Sequence, residues 1–402
     1  MRFYEFESKQ ILKKFGIPIP NGQFARTVKD VEAIYQKLES EVVIKTQVLS
    51  GGRMKAGGVK FANDLETTKK FTTEILDIKI NDLKPVGVII EPKSLIEQEY
   101  YAAITWDGVA KQPLLIFSDM GGIDIEEIAE KHPTHISKTL LPNLRPVSDY
   151  HAKLAVSNVG ISGKDLGQLS RILKKLADIF YTYDLTLAEI NPIAKLTDGS
   201  FIALDGHMDM EAEARNYHQA LLKELNISNE DNRQSRPPTE FEINGAIVDA
   251  QDTRGVAGNV TEFDGNLGLI IGAGGGSLTL FDAVRNAGGK PANYCEIGGN
   301  PSVKKTADLA KLIVTKTGVD KIAVMMNVVS NTRVDIVARG VIKGVIDAGF
   351  EPKDKIAIFR IPGSWEEEGF KILDKYGVEY VDRTVSMYEA ANKAVQKMKD
   401  GE

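Results

Sequence analysis

Residues 266–289 read NLGLIIGAGGGSLTLFDAVRNAGG. An apolar run leads into a cluster of glycines, then into residues with helical spacing, and a Gly-Gly pair closes the stretch. This is a strand, a glycine turn and a helix. The rhythm returns in 320–350 (DKIAVMMNVVSNTRVDIVARGVIKGVIDAGF), in 354–377 (DKIAIFRIPGSWEEEGFKILDKYG) and in 378–399 (VEYVDRTVSMYEAANKAVQKMK). Repeated βα units of this length predict a doubly wound parallel sheet with helices on both faces. In the last unit Met387, Tyr388, Ala391, Val395 and Met398 fall on one helical face, a stripe that reads as packing rather than as a site.

Moving toward the N-terminus, the stretch 226–242 (NISNEDNRQSRPPTEFE) is polar and carries a Pro-Pro pair. A linker is expected at 236–242, dividing a domain at 1–235 from one at 243–402. The first domain has a different rhythm. Tyr4, Ile11, Leu12 and Phe15 fall on one face of a helix that Gly16 ends and Pro18 prevents from continuing. Strands are expected at 41–48, near Val59, at 86–92 and at 99–106, and an amphipathic helix at 165–185, so strands and helices mix early.

The chain's 402 residues allow two or three domains, and 43% hydrophobic with 26% charged residues is the composition of a soluble globular protein. A net charge of −6 without a basic stripe argues against nucleic acid as the main partner. A single cysteine, Cys295, excludes an internal disulfide and a multi-thiolate metal site. No apolar run follows a basic start, and no stretch approaches the ~20 apolar residues that span a bilayer. A cytoplasmic location is expected.

Three stretches carry possible chemistry. In 185–206 (LTLAEINPIAKLTDGSFIALDG) a three-residue Thr197-Asp198-Gly199 loop pairs residues whose numbers sum to 396, which sets Asn191 opposite Asp205. Period 2 places Glu189 on the same side. Two carboxylates and an amide oxygen on one face suit a hard cation such as Mg²⁺. A solvated strand face has the same pattern, and a two-residue Asp-Gly loop would shift the register by one. In 43–58 (VIKTQVLSGGRMKAGG) Lys45 ends an apolar strand, and Gly51, Gly52, Gly57 and Gly58 follow, as a phosphate-binding loop or a surface turn requires. In 267–277 a strand runs into glycines and a helix start, but Ser277 stands where a dinucleotide fingerprint has its last glycine. A kinase glycine loop precedes its strand lysine, whereas here the loop follows, and 160–165 (GISGKD) has Asp where a Walker A motif needs Ser or Thr. The five histidines, His132, His135, His151, His207 and His218, have no zinc-site spacing, and none lies in the βα domain.

Taken in order, YEFESKQILKKFGIPIP (4–20), VVIKTQVLSGGRMKAGGVK (42–60), GGIDIEEIAEKHP (121–133), LAEINPIAKLTDGSFIALDG (187–206) and DGNLGLIIGAGGGSL (264–278) resemble the beta subunits of succinyl-CoA synthetase, the ADP-forming succinate–CoA ligases. The similarity runs over essentially the whole chain. It implies an N-terminal ATP-grasp domain and a C-terminal flavodoxin-like CoA-ligase domain. Lys45, Gly52, Arg53, Met54, Glu91, Ser94 and Glu99 match positions that bind ATP in that family. Asn191 and Asp205 match its Mg²⁺ ligands, and Glu189 matches the acidic residue that supports a phosphohistidine. That histidine and the CoA site belong to an alpha subunit, so this chain is expected to be inactive alone.

Three departures bear on the substrate. Met54 replaces a glycine, and Gly272 stands where the family has a substrate-contacting asparagine. NVVSNTRVD (327–335) replaces a loop whose Gly-Gly backbone helps hold carboxylate and phosphate, bringing in Ser330, Asn331 and Thr332. GAGGGSL (272–278), EIGGNPS (296–302) and FRIPGSWEEEG (359–369) also resemble segments of ATP-citrate lyase and citryl-CoA synthetase, which keeps citrate as the alternative acid. A nucleotide-sensing or scaffold subunit is the non-enzymatic alternative, and the presence of Lys45, Glu189, Asn191 and Asp205 argues against it.

Overall fold

The computed structural model describes every residue except 39, 144–146, 229–230, 232, 234–236, 258–259, 273 and 400–402. The chain divides into two compact units, Met1–Pro237 and Pro238–Glu402. Position 236 of the expected linker lies outside the described residues. Residues 240–242, expected in that linker, instead form the first turn of the helix Glu240–Ala250. Thr239 and Glu242 close a capping box there, the Thr239 hydroxyl accepting from the Glu242 N–H at 3.3 Å and the Glu242 carboxylate from the Thr239 N–H at 3.0 Å.

The first unit holds two antiparallel sheets. In the smaller, the strand Val42–Thr46 lies between Val59–Ala62 and Val88–Pro92, with Gln23–Ala25 on the outer edge. Alternation sends Val42, Ile44, Val88 and Ile90 into a core with Val31, Ile34 and Ile75 of the helices Val28–Leu38 and Leu65–Asp77. The opposite face therefore receives Val43, Lys45, Ile89 and Glu91. The larger sheet runs His207–Met210, Leu185–Leu196, Ile96–Asp107, Gln112–Ser118 and Ile136–Leu140, with Phe201–Ala203 paired to Leu185–Leu196. Leu173, Leu176 and Phe180 of the amphipathic helix Gly163–Thr182 pack against it, sharing a core with Ile104, Phe117, Ile190 and Ile193.

The N-terminal helix spans Glu5–Lys14, with Tyr4 and Phe15 as its caps. Gly16 N–H donates to Lys13 O at 2.9 Å and Ile17 N–H to Leu12 O at 3.0 Å, with Gly16 at φ 72°. This Schellman closure needs a left-handed residue, which glycine supplies without a Cβ clash. The hairpin behaves as the Thr-Asp-Gly loop dictates. Ile193 pairs with Ala203, Ala194 with Ile202 and Lys195 with Phe201, and beyond the loop His207 pairs with Glu189 in the same register.

In the second unit the strands Leu267–Gly272, Lys321–Met326 and Ile356–Arg360 are parallel neighbours in that order. Leu267, Leu269, Ile271, Ala323, Met325 and Ile358 face the helices Gly275–Asn286 and Met387–Lys399. Ile270, Ile322, Val324, Met326 and Phe359 face Val303–Val314, Val334–Asp347 and Glu366–Lys375. Both faces are covered, which is why these strands read as unbroken apolar runs.

Parallel bridges at Leu267–Pro291 and Phe359–Tyr380 extend the sheet at both edges. The resulting order is second, first, third, fourth, fifth, the flavodoxin-like arrangement, with its switch point between the first and third strands. The second edge was not among the βα units read from sequence, because a side chain does part of its pairing. Buried Asn293 accepts from Leu269 N–H and donates to Leu269 O, both at 2.9 Å, and so copies a rung of the ladder.

A Cβ added to Gly272, at the end of the first parallel strand, would lie 1.9 Å from Ile297 O. Gly272→Ala is therefore expected to lower stability by about 2 kcal/mol through overpacking against backbone. A urea titration of the full chain measures it, and an unshifted midpoint would contradict the close approach.

Candidate nucleotide and metal site

Lys45 and Glu91 sit one step apart on the polar face of the small sheet, since Lys45 pairs with Ile89 and Val43 with Glu91. The Lys45 ammonium is 3.0 Å from Glu91 Oε2 and 3.3 Å from Glu5 Oε1, and it donates to Leu204 O at 2.5 Å. Lys9 approaches Glu5 at 2.8 Å and also pairs with Glu91. Arg53 Nη1 donates to Glu5 Oε2 at 2.6 Å and to Thr46 O at 3.1 Å, while its Nη2 pairs with Asp205. Three cations and three carboxylates from five separated segments thus meet in one enclosed cluster.

The electrostatics follow from that pairing. Burial pushes the Glu5 carboxyl up, but Lys45, Lys9 and Arg53 outweigh it and hold it well below the usual carboxylate range. Burial likewise works against the charged forms of Lys45 and Arg53. Glu5, Glu91 and Asp205 reverse this for Lys45, and Asp205 and Glu5 for Arg53, so both stay firmly protonated.

The hairpin face adds the second half. The constant register carries Asn191 across from Asp205, and the backbone bond from Leu204 N–H to Pro192 O, 3.0 Å, fixes the residues between. Asn191 Oδ1 accepts from Gly122 N–H at 2.8 Å and its Nδ2 donates to Ile123 O at 3.3 Å. Glu189 accepts from the Tyr101 hydroxyl at 3.3 Å. Burial and then the charge on Asp205 push the Glu189 carboxyl up to about 7, with the Tyr101 bond opposing. His207 stands directly across from Glu189, and burial lowers its imidazole.

Of the residues singled out in the sequence, Lys45, Arg53, Glu91 and Asp205 come together in the cluster, with Glu189 beside Asp205. Glu99 packs against Gly122, and burial raises its carboxyl. Gly52 has φ 74° and Met54 is exposed. Ser94 is half-buried in the turn before the Ile96–Asp107 strand. Glu5, Lys9, Gln47, Tyr101 and Gly122 were missed. An acidic and a basic residue four apart on a helix was the visible sign of Glu5 and Lys9, and it is the same sign a solvated pair gives.

In the second unit, Gly272 O accepts from Asn327 N–H at 3.2 Å at the switch point. Ser330 and Asn331 are exposed, whereas Thr332 is buried and its hydroxyl accepts from Asn300 N–H at 3.2 Å. Thr332 therefore ties two loops together rather than presenting its hydroxyl outward. Arg333 stacks on Trp365, 4.0 Å from the ring centroid.

A small antiparallel sheet with a lysine and a glutamate on neighbouring strands, a glycine loop after the lysine strand, and a hairpin with paired oxygen donors together define a nucleotide-binding domain of the ATP-grasp class. Residues 2–195 match the ATP-grasp domain family. The chain is 33% identical to the beta subunit of succinate–CoA ligase (ADP-forming) of Methanocaldococcus jannaschii over 404 residues, 99% of this chain and 100% of that one. It is equally identical to beta subunit 1 of the same enzyme from Archaeoglobus fulgidus over 399 residues, 98% of this chain and 99% of that one. The chain belongs to the family of succinate–CoA ligase (ADP-forming) beta subunits. Its fold is shared by the ATP citrate lyase of Methanothrix soehngenii solved with citrate and coenzyme A, with a TM-score of 0.65 at 18% identity over 98% of this chain and 99% of that one. No helix among the described residues is long and apolar enough to cross a membrane.

Asn191 and Asp205 are hard oxygen donors, and among the described residues no group of three or more His, Cys, Asp or Glu side chains is placed to hold a metal. A two-donor set suits Mg²⁺, which keeps waters and substrate phosphates as its other ligands.

Gly122, the donor to Asn191, has φ 74°, and a Cβ there would lie 2.2 Å from Glu99 Oε2. Gly122→Ala is expected to cost about 1–2 kcal/mol from the left-handed backbone alone and to displace the Asn191 contact. Hydrogen exchange at 121–123 measures the displacement, and unchanged protection there would contradict it.

Proposed function

We propose that this chain is the nucleotide-binding subunit of an ADP-forming acid–CoA ligase, with succinate as the acid: succinate + CoA + ATP ⇌ succinyl-CoA + ADP + phosphate. The observation that carries the reading is the cluster in which Lys45, Arg53, Glu91 and Asp205 converge beside a glycine loop. Family membership supports the reaction class.

In this reading residues 1–235 form the ATP-grasp domain, and residues 243–402 the CoA-ligase domain that contacts the acid. Gly52, Arg53 and Met54 close over the phosphates with backbone N–H groups and a guanidinium, while Lys45 holds phosphate oxygens from the strand. Glu91, Ser94 and Glu99 take the rest of the nucleotide. Asn191 and Asp205 hold Mg²⁺, which when bound offsets charge on the transferring phosphoryl group.

The γ-phosphoryl group leaves ADP for a histidine of an alpha subunit, passes to the carboxylate of the acid, and is displaced as phosphate when the CoA thiol attacks the acyl phosphate. Splitting one hard transfer into three easier ones is covalent catalysis. Glu189 orients the incoming imidazole by accepting its N–H. Gly272, Ser330, Asn331 and Thr332 are assigned to the acid and its phosphate, Thr332 through its hold on the loop. The CoA pocket and the phosphorylated histidine belong to the alpha subunit, without which no turnover is expected. The proposed setting is the cytoplasm.

Reconstituted with its alpha partner, the protein is expected to form succinyl-CoA from succinate, CoA and Mg-ATP. Activity with citrate and none with succinate would replace this reading with the citryl-CoA alternative. Asp205→Ala is expected to lower phosphorylation of the alpha histidine by about 10²-fold or more, as loss of a charge-stabilising group does, while the subunits still associate. Unaltered phosphorylation would remove Asp205 from the metal site, and no phosphorylation by the wild-type pair would revive a sensing or scaffold role.

A further inference from the structure

We infer that Glu5 is a positioning residue for the metal–nucleotide site: it shares the Arg53 guanidinium with Asp205 and thereby governs how readily Asp205 is released to take a divalent cation. The inference rests on the nucleotide reading above, since it takes Asp205 as a cation ligand.

The two carboxylates hold different nitrogens of one guanidinium. Nη1 lies 2.6 Å from Glu5 Oε2 and 3.1 Å from Thr46 O, and Nη2 pairs with Asp205. Arg53 can thus let go of Asp205 while Glu5 and the strand carbonyl keep it in place. The two ends differ in access, with side-chain exposure of 1% for Glu5 and 29% for Asp205. Glu5 is itself immobilised. Its carboxylate meets Lys9 at 2.8 Å, Lys45 at 3.3 Å and the Gln47 amide at 3.2 Å, and Gln47 Oε1 accepts from Phe6 N–H at 3.1 Å. The fixed partner is buried and the exchangeable partner faces solvent.

Charge counting gives the consequence. Lys9, Lys45 and Arg53 face Glu5, Glu91 and Asp205, three against three. When Asp205 turns to a divalent cation, Arg53 keeps Glu5, which it shares with Lys9 and Lys45, as its remaining carboxylate, and one fork of donors becomes free. Without the charge on Glu5, Arg53 has Asp205 as its sole carboxylate, and a cation must compete with a guanidinium for it. Neutralising Lys9 acts in the opposite sense, because Glu5 then has one fewer cation to serve and holds Arg53 more strongly.

A change of local field would move cation affinity the same way, so the test is a double-mutant cycle through Arg53. Mn²⁺ binding is measured by electron paramagnetic resonance on the full chain with its alpha partner, for wild type, Glu5→Gln, Arg53→Met and the double variant, with ADP and also without nucleotide, where Arg53 has no phosphate to hold and on which the cycle is evaluated. Glu5→Gln is expected to weaken Mn²⁺ binding about tenfold, and the double variant to match Arg53→Met within about twofold. An effect of Glu5→Gln below about twofold, or one of equal size in the Arg53→Met background, overturns the inference. Should Glu5→Gln fail to fold, Lys9→Met serves in its place. It is expected to tighten Mn²⁺ binding by about threefold or more only when Arg53 is present, and a change of the other sign or one independent of Arg53 overturns the inference. Absence of Mn²⁺–ADP binding in the wild type would instead sink the nucleotide reading itself.

Discussion

The first unit is organised around a single electrostatic constraint: a buried carboxylate, Glu5, surrounded by Lys9, Lys45 and Arg53. Removing charges from water costs several kcal/mol per ion, and their mutual attraction offsets this only when geometry and hydrogen bonding are complete. Here completion requires five segments, the helix at 5–14, the strand at 42–46, the loop at 53, the strand at 88–92 and the turn at 204–205. Deleting any one member leaves an uncompensated buried charge, which typically costs about 3–5 kcal/mol. The cluster therefore specifies the arrangement of these segments more than it stabilises them, and the same specification aims Lys45, Arg53 and Asp205 at one place.

Backbone periodicity makes the convergence possible. Because strand residues alternate, the sheet that buries Ile44 and Ile90 against its helices must turn Lys45 and Glu91 the other way. The Thr-Asp-Gly loop sets a register that holds from 195–201 through 189–207, so Asn191 and Asp205 face each other and Glu189 faces His207. Ile190 and Ile193, three residues apart, both reach the core because the strand is irregular against its other neighbour, where Ile190 pairs with Ala102 and Ile193 with Tyr100, so alternation is broken between them.

These features were unequally legible in the sequence. The doubly wound unit could be read from 266–289 and its repeats, because strands covered on both faces must be continuously apolar. The hairpin register could be read from Thr197-Asp198-Gly199, because one glycine at φ 79° fixes the loop length. Glu5 and Lys9 could not be recognised as site residues. Glu127 with Lys131 and Lys174 with Asp178 have the same four-residue spacing and lie at the surface, and only tertiary burial separates the cases. The edge at 290–297 escaped because Lys290, Asn293 and Glu296 interrupt its apolar pattern, and Asn293 replaces backbone pairing with its amide. At 239–242 the capping box was present in the letters, but the polar and Pro-rich composition around it favoured a linker.

The loops at the carboxyl ends of the parallel strands are fastened to one another rather than left free. Val329 N–H donates to Pro362 O at 2.9 Å, Ser364 N–H to Val329 O at 3.0 Å and Val334 N–H to Ser364 O at 2.9 Å. Asn300 bridges to Thr332 and Arg333, and buried Arg360 donates to Met326 O at 2.6 Å and Val385 O at 2.9 Å. Gly272 is locked by the approach of Ile297 O, so an asparagine there would need the backbone of the neighbouring segment to move. Gly272 and the loop at 327–335 are thus accommodated together. The glycine at 272 leaves room for the 297 carbonyl, and the Thr332 hydroxyl is consumed by the Asn300 backbone N–H. The loops form a pre-organised frame in which Ser330 and Asn331, exposed on a tethered loop, can vary without disturbing the sheet below.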